Sequence, residues 1–392
     1  GIGPRRGGLA KPRRRVLVVL ARPRDGTSTP GLAEDSNCPV SLLPSSCAFM
    51  SARKPIGKTK VLKGGGEVEN MKAVVLAGGY ATRMWPITKH RPKMFLPVGE
   101  STVIDQIFAE LEDDDRVTEV YVSTNERFAP DFEAYLAESE FEKPELSVED
   151  TTGEDEKFGV IGALAQLVER EGIEEDLVVV AGDNLISFDV SEFVDFFEAK
   201  DAPALAAYDV GSRERAQSYG LVELDGDRVV DFQEKPDDPN STLVSIACYA
   251  FTADTVGLLE TYLAEDNNPD EPGWFIQWLQ SREDTYAFTF DGAWFDIGTP
   301  DSYLEAVAWH LNGDNYVAPS ATLENTTLGE NVHVMADATV ADSHLDHSIV
   351  FEDATIKNCD LRRSIIDEHT HLDDLDLAGA LIGAHTHISN GE

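Results

Sequence analysis

The sequence predicts an α/β fold with a doubly wound, mostly parallel sheet, followed by a β-helix of hexapeptide-like repeats. Three observations carry that reading. Apolar runs alternate with amphipathic helical segments from Met71 to about residue 312. After residue 312 apolar residues recur every five or six positions instead. Between the first apolar run and the first helix lies a glycine-rich loop that contains no acid in a strongly acidic chain.

The α/β part reads in order. "KAVVLA" (72–77) is a continuous apolar run, as a strand buried on both faces requires. "STVIDQIFAELE" (101–112) has helical periodicity, with Ser101 placed to cap it. Strands at 119–125 and 145–150 alternate with helices at 127–139 and 159–171. "LVVVAGDN" (177–184) is a second buried strand, followed by the helix 190–200. Residues 219–236 read as a hairpin with Asp225-Gly226 near its turn. A strand at 243–251, helices at 252–265 and 299–312, and the short run "AWFDIG" (293–298) complete the unit. Alternation of this kind is the mark of a doubly wound sheet.

The tail follows another rule. Leu345, Val350, Ile356, Leu361, Ile366, Leu372, Leu377, Ile382 and Ile388 advance by 16 residues for every three positions. Val350, Ile366 and Ile382 then form one column, Ile356, Leu372 and Ile388 a second, and Leu345, Leu361 and Leu377 a third. One apolar residue on each of three sides means a triangular coil whose turns stack. An amphipathic helix would need spacings near 3.6. The open end of such a coil needs a cap or a partner.

Residues 1–70 differ in kind. They carry 13 basic and 5 acidic side chains, against 19 and 67 in residues 71–392. "RRRVLVVLA" (13–21) has too short an apolar core for a signal peptide, and "ARKPIGKT" (52–59) lacks the strand and helix that a phosphate loop needs around it. The expectation is a disordered or non-native extension over 1–70, a first domain over 71–312 and the β-helix over 313–392. No stretch approaches the roughly 20 apolar residues of a membrane span. The acidic excess repels nucleic acid and anionic lipid. Cys38, Cys47, Cys248 and Cys359 show no paired spacing and read as free thiols in a reducing cytoplasm. A surface this rich in carboxylates also points to a halophilic source, where salt screens the self-repulsion.

The chemistry is expected where the first strand gives out. No Asp or Glu occurs between Glu69 and Glu100, and Arg83, Lys89, Arg91 and Lys93 follow Gly78-Gly79. Glycines let the backbone aim N–H groups at a ligand, and the cations add charge; together they describe a polyphosphate site. Asp183 in "AGDN" and Asp296 in "WFDIG" also fall where strands end, and two converging carboxylates near a polyphosphate can hold Mg²⁺. "EKP" (234–236) reads two ways: a grip on a sugar phosphate through Glu234 and Lys235, or an exposed ion pair before a proline. "HTH" occurs at 369–371 and 385–387, one coil apart, as a metal site or as polar turn positions.

With these residues in hand, the chain from Met71 onward resembles the sugar-1-phosphate nucleotidylyltransferases, close to the glucose-1-phosphate thymidylyltransferase type. "GGYATRMWPIT…RPKMFLPV", "AGDN", "EKP" and "WFDIG" match the family's motifs in order. The resemblance implies a Rossmann-like nucleotidyltransferase domain with a left-handed β-helix, through which copies of the chain would associate. It implies that Leu76, Ala77, Gly78, Gly79, Thr82 and Arg83 bind the nucleotide, and that Arg83 and Lys93 are catalytic. Gly220, Glu234 and Lys235 would hold the sugar phosphate, and Asp183 and Asp296 Mg²⁺. The implied reaction joins a nucleoside triphosphate to a sugar-1-phosphate, most simply glucose-1-phosphate with dTTP or UTP. Alternatives are a mannose-1-phosphate guanylyltransferase and a non-catalytic subunit that binds nucleotide sugars. Two departures stand out. Ala81 occupies a position where the family usually has Gly, and "EDTTGEDEKFG" (149–159) offers Thr151 and Thr152 but no Gln to read the base.

One consequence of the charge is directly measurable. The melting temperature is expected to fall as KCl is lowered from molar to ordinary concentrations, because unscreened carboxylates repel in the compact state. A melting curve indifferent to KCl would remove the halophilic reading.

Overall fold

The computed structural model describes residues 70–149 and 158–390, together with the backbone of Leu17–Val19. The expected extension over 1–70 otherwise lies outside the described residues, as do Cys38, Cys47, Thr151 and Thr152.

The main elements of the first domain are, in order, β1 (Met71–Leu76), α1 (Val103–Asp113), β2 (Val117–Asn125), α2 (Ala129–Glu138), β3 (Pro144–Glu149), α3 (Val160–Glu171), β4 (Asp176–Ala181), β5 (Asn184–Ile186), α4 (Val190–Lys200), β6 (Ala204–Asp209), β7 (Gly220–Asp225), β8 (Arg228–Glu234), β9 (Leu243–Phe251), α5 (Pro272–Leu279), β10 (Tyr286–Thr289), β11 (Trp294–Asp296) and α6 (Pro300–Leu311). Nine of the strands form one sheet in the order β7-β8-β10-β6-β9-β4-β1-β2-β3. The half from β4 to β3 is parallel, so β1, β2, β3 and β4 end at one edge. β9 runs antiparallel to both β4 and β6, and the β7–β8 hairpin adds a second antiparallel patch.

The apolar runs work on both faces. Ala73 and Val75 of β1 and Val178 and Val180 of β4 face a core with Ile104, Ile107 and Phe108 of α1 and Phe193 and Phe197 of α4. Val74 of β1 and Leu177 and Val179 of β4 face the opposite core, with Ile161, Leu164 and Leu167 of α3 and Phe275 and Ile276 of α5. Alternate residues of one strand thus feed two cores, which is why these strands show no polar alternation.

Several boundaries moved for local reasons. Thr102, not Ser101, caps α1, in a capping box with Asp105; Ser101 instead pairs with Val98 in a two-strand hairpin. The expected strand 177–184 breaks at Gly182, which leaves Asp183 in the turn between β4 and β5. The helix expected over 252–265 is two helices, Ala253–Val256 and Leu258–Ala264, parted at Gly257. β6, α5 and β10 were not legible in the sequence; α5 opens with Pro272-Gly273, which reads as a turn but places proline in the first turn of the helix, where it is tolerated.

The tail forms three parallel sheets, the sides of a left-handed β-helix. All three apolar columns are realised: Val350 pairs with Ile366 and that with Ile382, Ile356 with Leu372 and Ile388, and Leu361 with Leu345 and Leu377. The corners are in the left-handed backbone region, and they too form ladders. His347 and Arg363 follow Asn331, and Asp353, His369 and His385 follow Asp337. Asn and Asp tolerate this conformation best among side-chain-bearing residues. His369 and His385 are therefore turn residues whose rings stack at 4.9 Å, with His371 over His387 at 4.4 Å. Among the described residues no three His, Cys, Asp or Glu side chains cluster as metal ligands. Cys248 and Cys359 are free and buried. On the last coil, Leu17–Val19 runs parallel to Ala380–Ile382.

A third core joins the tail to the first domain. Met84, Ile87, Leu96 and Val98, all from the stretch after β1, pack with Leu304 and Val307 of α6 and with Met335, Ile349, Phe351, Ile365 and Leu381 of the β-helix. The coil interior itself is a stack of single residues per side, and Ile366 there is fully buried. Ile366→Ala is expected to cost about 2–5 kcal/mol, since neighbouring coils cannot close the gap; urea unfolding followed by circular dichroism measures it.

Candidate active site

The parallel strands deliver their loops to one edge, and a cleft of about 840 Å³ opens there. Its floor is the loop after β1. Ala77 N donates to Ser123 O at 2.7 Å, and Asn125 Nδ2 donates to Gly78 O at 2.9 Å, which fixes the first half of the loop on β2. A Cβ on Gly78 would lie 2.8 Å from Glu149 Oε1, so the Glu149 carboxylate rests directly against the glycine backbone. Around Gly79 the space is open. Ala81 has φ 48° and ψ 40°, the left-handed region that glycine adopts freely. An alanine there carries roughly 1–2 kcal/mol of strain. Its carbonyl accepts from Thr88 Oγ1 at 2.8 Å, one of the bonds that hold the turn. The loop thus keeps a glycine-like shape with an alanine.

Two short 3₁₀ turns, Thr82–Met84 and Lys93–Phe95, then present Arg83 and Lys93 to the cleft. Lys93 Nζ donates to Asp183 Oδ2, with both side chains largely buried. Asp296 arrives by another route. β11 pairs antiparallel with β5, Asp296 opposite Asn184, and Ile297 N donates to Asp183 O at 3.1 Å. The two carboxylates therefore sit side by side. Burial, and then the neighbouring Asp183, push the Asp296 carboxyl up to about 6, while Lys93 and Arg83 pull it down. A Cβ on Gly298 would lie 3.2 Å from the Arg83 guanidinium, which places that cation against the Asp296 strand. Two adjacent carboxylates, one already strained toward protonation by the other, form a hard oxygen donor pair that fits Mg²⁺; water and phosphate oxygens would complete its shell.

At the far end of the cleft stand Glu234 and Lys235. Gly220 and Gly273 both give way to the Glu234 carboxylate: a Cβ on either would lie 2.9 Å and 1.6 Å from its Oε2. Burial raises this carboxyl from 4.5 to about 7, against the pull of Lys235 and with the push of Glu271. Lys235 Nζ pairs with Glu271 and stands 4.0 Å from Glu234. The "EKP" segment is thus no exposed pair of neighbours, because its acid is buried and its base reaches Glu271, the residue that precedes α5.

The structure brings together Leu76, Gly78, Gly79, Arg83, Lys93, Asp183, Gly220, Glu234, Lys235 and Asp296 around one cavity. Ala77 lies buried beneath the loop and Thr82 is exposed on the turn; neither lines the cleft. Of the four loop cations only Arg83 and Lys93 do so. Arg91 turns away to Asp367 and Glu368 of the β-helix. Sequence reasoning missed Glu149, Phe158, Tyr219, Glu271 and Gly273, which also line the cavity. "EPGW" was the one signal for the last two, since Pro-Gly marks a backbone that something approaches closely.

Comparison with known proteins agrees with this geometry. Residues 72–312, more than half of the chain, match the family model described as "Nucleotidyl transferase". A Sulfolobus acidocaldarius protein named "Putative mannose-1-phosphate guanyltransferase" is 28% identical over 60% of this chain and 61% of its own. The Haloferax volcanii "Low-salt glycan biosynthesis nucleotidyltransferase Agl11" is 27% identical over 69% of this chain and 71% of its own. "Bifunctional protein GlmU" of Methanocaldococcus jannaschii is 25% identical over 66% and 59%. The chain therefore spans about three-fifths of the length of the first and last of these relatives. Among solved structures, a "Putative Glucose-1-Phosphate Thymidylyltransferase" from Bacillus anthracis superposes with a TM-score of 0.54 at 25% identity, covering 61% of this chain and 95% of that one.

The buried Glu234 makes a sign-definite prediction. Its carboxyl holds a proton more tightly folded than unfolded, so stability is highest below pH 4.5 for this group and declines as pH rises toward about 7. Glu234→Gln is expected to remove that decline and to be the more stable protein at pH 8, as read by urea unfolding at pH 5 and pH 8. Parallel behaviour of the two proteins would show that the carboxylate is solvated after all.

Proposed function

The chain belongs to the nucleotidyl transferase family, and from that premise we propose that it transfers a nucleotidyl group from a nucleoside triphosphate to a sugar-1-phosphate. The observation that carries the proposal is the shared cleft, in which Arg83, Lys93, Asp183 and Asp296 meet at one end and Glu234 and Lys235 stand at the other. A non-catalytic nucleotide-sugar-binding subunit would not require that charged quartet.

The reaction needs little covalent chemistry from the protein. A phosphate oxygen of the sugar phosphate attacks the α-phosphorus of the triphosphate; that P–O bond forms as the bond to the β-phosphate oxygen breaks, and pyrophosphate leaves. The nucleophile is already ionised, so no protein base is required, and catalysis rests on positioning and charge neutralisation. Backbone N–H groups around Gly78 and Gly79, with Leu76 beside them in the cleft lining, receive the nucleotide. Arg83 stabilises the charge gathering on pyrophosphate. Lys93 binds phosphate oxygens at the reacting centre. Asp183 and Asp296 would hold Mg²⁺, which when bound supplies further neutralisation of the phosphates. Glu234 accepts hydrogen bonds from sugar hydroxyls beside Gly220, and Lys235 neutralises the sugar phosphate.

For the substrates, the resemblance to the glucose-1-phosphate thymidylyltransferase type favours glucose-1-phosphate with dTTP or UTP. A second reading, GTP with mannose-1-phosphate, is favoured by Glu149. This carboxylate lines the cleft at the end of β3 and accepts from Ser123 Oγ at 2.9 Å. A carboxylate only accepts. Guanine offers it two adjacent N–H donors, whereas uracil and thymine place one N–H between two carbonyls. We also place self-association of the chain on its β-helix, and the molecule in the cytoplasm, where its buried thiols stay reduced.

A pyrophosphate-release assay over the common triphosphates and several sugar-1-phosphates, in high KCl, tests all of this. Turnover with at least one pair is expected, and Asp183→Asn is expected to lower it by orders of magnitude through weakened metal binding. Release with no pair defeats the transferase reading, and near-normal rates in Asp183→Asn remove that residue from the site. If the base is guanine, Glu149→Gln shifts preference from GTP toward UTP by about tenfold, or ~1.4 kcal/mol; an unmoved preference detaches Glu149 from the base.

A further inference from the structure

Arg91 is one of two loop cations, with Lys89, that do not line the cleft. It lies two residues before Lys93, with Pro92 between them at φ −56° and ψ 139°. Its guanidinium pairs with Asp367 at 2.9 Å and with Glu368 at 2.8 Å, and sits over the Phe351 ring at 4.8 Å from the centroid. All three partners belong to the β-helix. Asp367 is itself held: its carboxylate also accepts from Glu368 N at 2.9 Å and Ala384 N at 3.1 Å, and its side chain is only 2% exposed. A second contact lies at the other end of the loop, where Pro86 abuts the coil at Gly383 so closely that a Cβ there would lie 2.7 Å away. Arg83 and Lys93 are thus each within three residues of a point where the loop rests on the tail.

We propose that Arg91 is a positioning residue: locked between Asp367, Glu368 and Phe351, it sets Lys93 at its place beside Asp183, so that the β-helix is part of the catalytic apparatus. The proline makes the connection stiff. It fixes φ of the intervening residue and offers no backbone N–H, so a displacement of Arg91 passes to Lys93 with little absorbed between them. The buried arginine cannot swing elsewhere cheaply, because its desolvated charge needs those carboxylates. One guanidinium nitrogen, Nη2, reaches both acids, and the planar cation also lies over the Phe351 ring, a stacking contact that a lysine ammonium does not reproduce. The inference rests on the transferase reading for its kinetic consequence but not for its structural one.

Two measurements on the full chain decide it. The first is kinetic: Arg91→Ala is expected to lower kcat by about 10²-fold, the scale of a displacement near 1 Å at a reacting centre, with KM for both substrates within about threefold. Arg91→Lys recovers part of the loss. The second is spectroscopic and needs no turnover. After reductive ¹³C-methylation of lysines, the Lys93 resonance, assigned by its loss in Lys93→Arg, is expected to stand apart in the parent protein and to move to the position of exposed lysines in Arg91→Ala. If the Arg91→Ala protein does not fold, Glu368→Gln, at a side chain 37% exposed, should still shift the resonance part of the way and lower kcat about threefold. An unmoved Lys93 resonance in whichever variant folds overturns the proposal, as does a kcat within twofold of the parent. A parent protein without turnover on any substrate pair would sink the transferase reading alone, leaving the resonance to judge Arg91.

Discussion

The site depends on one electrostatic constraint: Asp183 and Asp296 are forced together where water is scarce. Asp296 could not hold its charge in that place without help, because burial and then the neighbouring Asp183 raise the cost of ionising it. The fold supplies cations from a single source, the loop after β1. Lys93 is bonded to Asp183, and Arg83 lies against the strand that carries Asp296. Such an arrangement is poorly balanced as a purely structural salt bridge, since desolvation offsets much of the attraction. On the proposed function, a triphosphate and a divalent cation entering together would share the charges out again.

That constraint explains why the loop is built so rigidly without regular secondary structure. Its early half is pinned to β2 through Ser123 and Asn125, and its turn adopts the left-handed conformation at Ala81 at some cost in strain. Its later half has Met84, Ile87, Leu96 and Val98 sunk in a core shared with the β-helix. A loop with only polar anchors would let the two cations wander by more than the tolerance of phosphate chemistry. Burying apolar side chains between the cations (Met84, Ile87) and just beyond them (Leu96, Val98) fixes their Cα positions from below.

How much of this was legible in the sequence follows from the range of each interaction. The β-helix columns could be read residue by residue, because each coil contacts only its neighbours and the period is written into the chain. Asp183 and Asp296 could be placed at strand ends from local pattern alone. Their adjacency could not, since it comes from the β5–β11 pairing of segments more than a hundred residues apart. The burial of Glu234 was invisible for the same reason: the two glycines that admit its carboxylate, Gly220 and Gly273, lie on different elements. Arg91 shows the opposite failure. Composition alone made it one of four equivalent cations, and only the packing of the tail distinguishes it from Arg83 and Lys93.

The acidic surface bears on how the cleft must work. At low ionic strength a chain carrying 67 acidic against 19 basic side chains after residue 70 repels a triphosphate long before contact. Salt removes that barrier, since the screening length falls from ~10 Å at 0.1 M to ~3 Å at 1 M. The same salt would also abolish any attraction exerted at a distance by the cationic loop. What survives screening is contact within a partly closed space, where ions from solution do not penetrate. Lys93 and Asp183 are each under 15% exposed, and Asp296 lies beside them. A site that gathered its substrate by long-range field would place all its charges on the rim; this one leaves Arg83 and Lys235 exposed but holds the Lys93–Asp183 pair inside, and that inner pair can serve an anionic protein in strong salt.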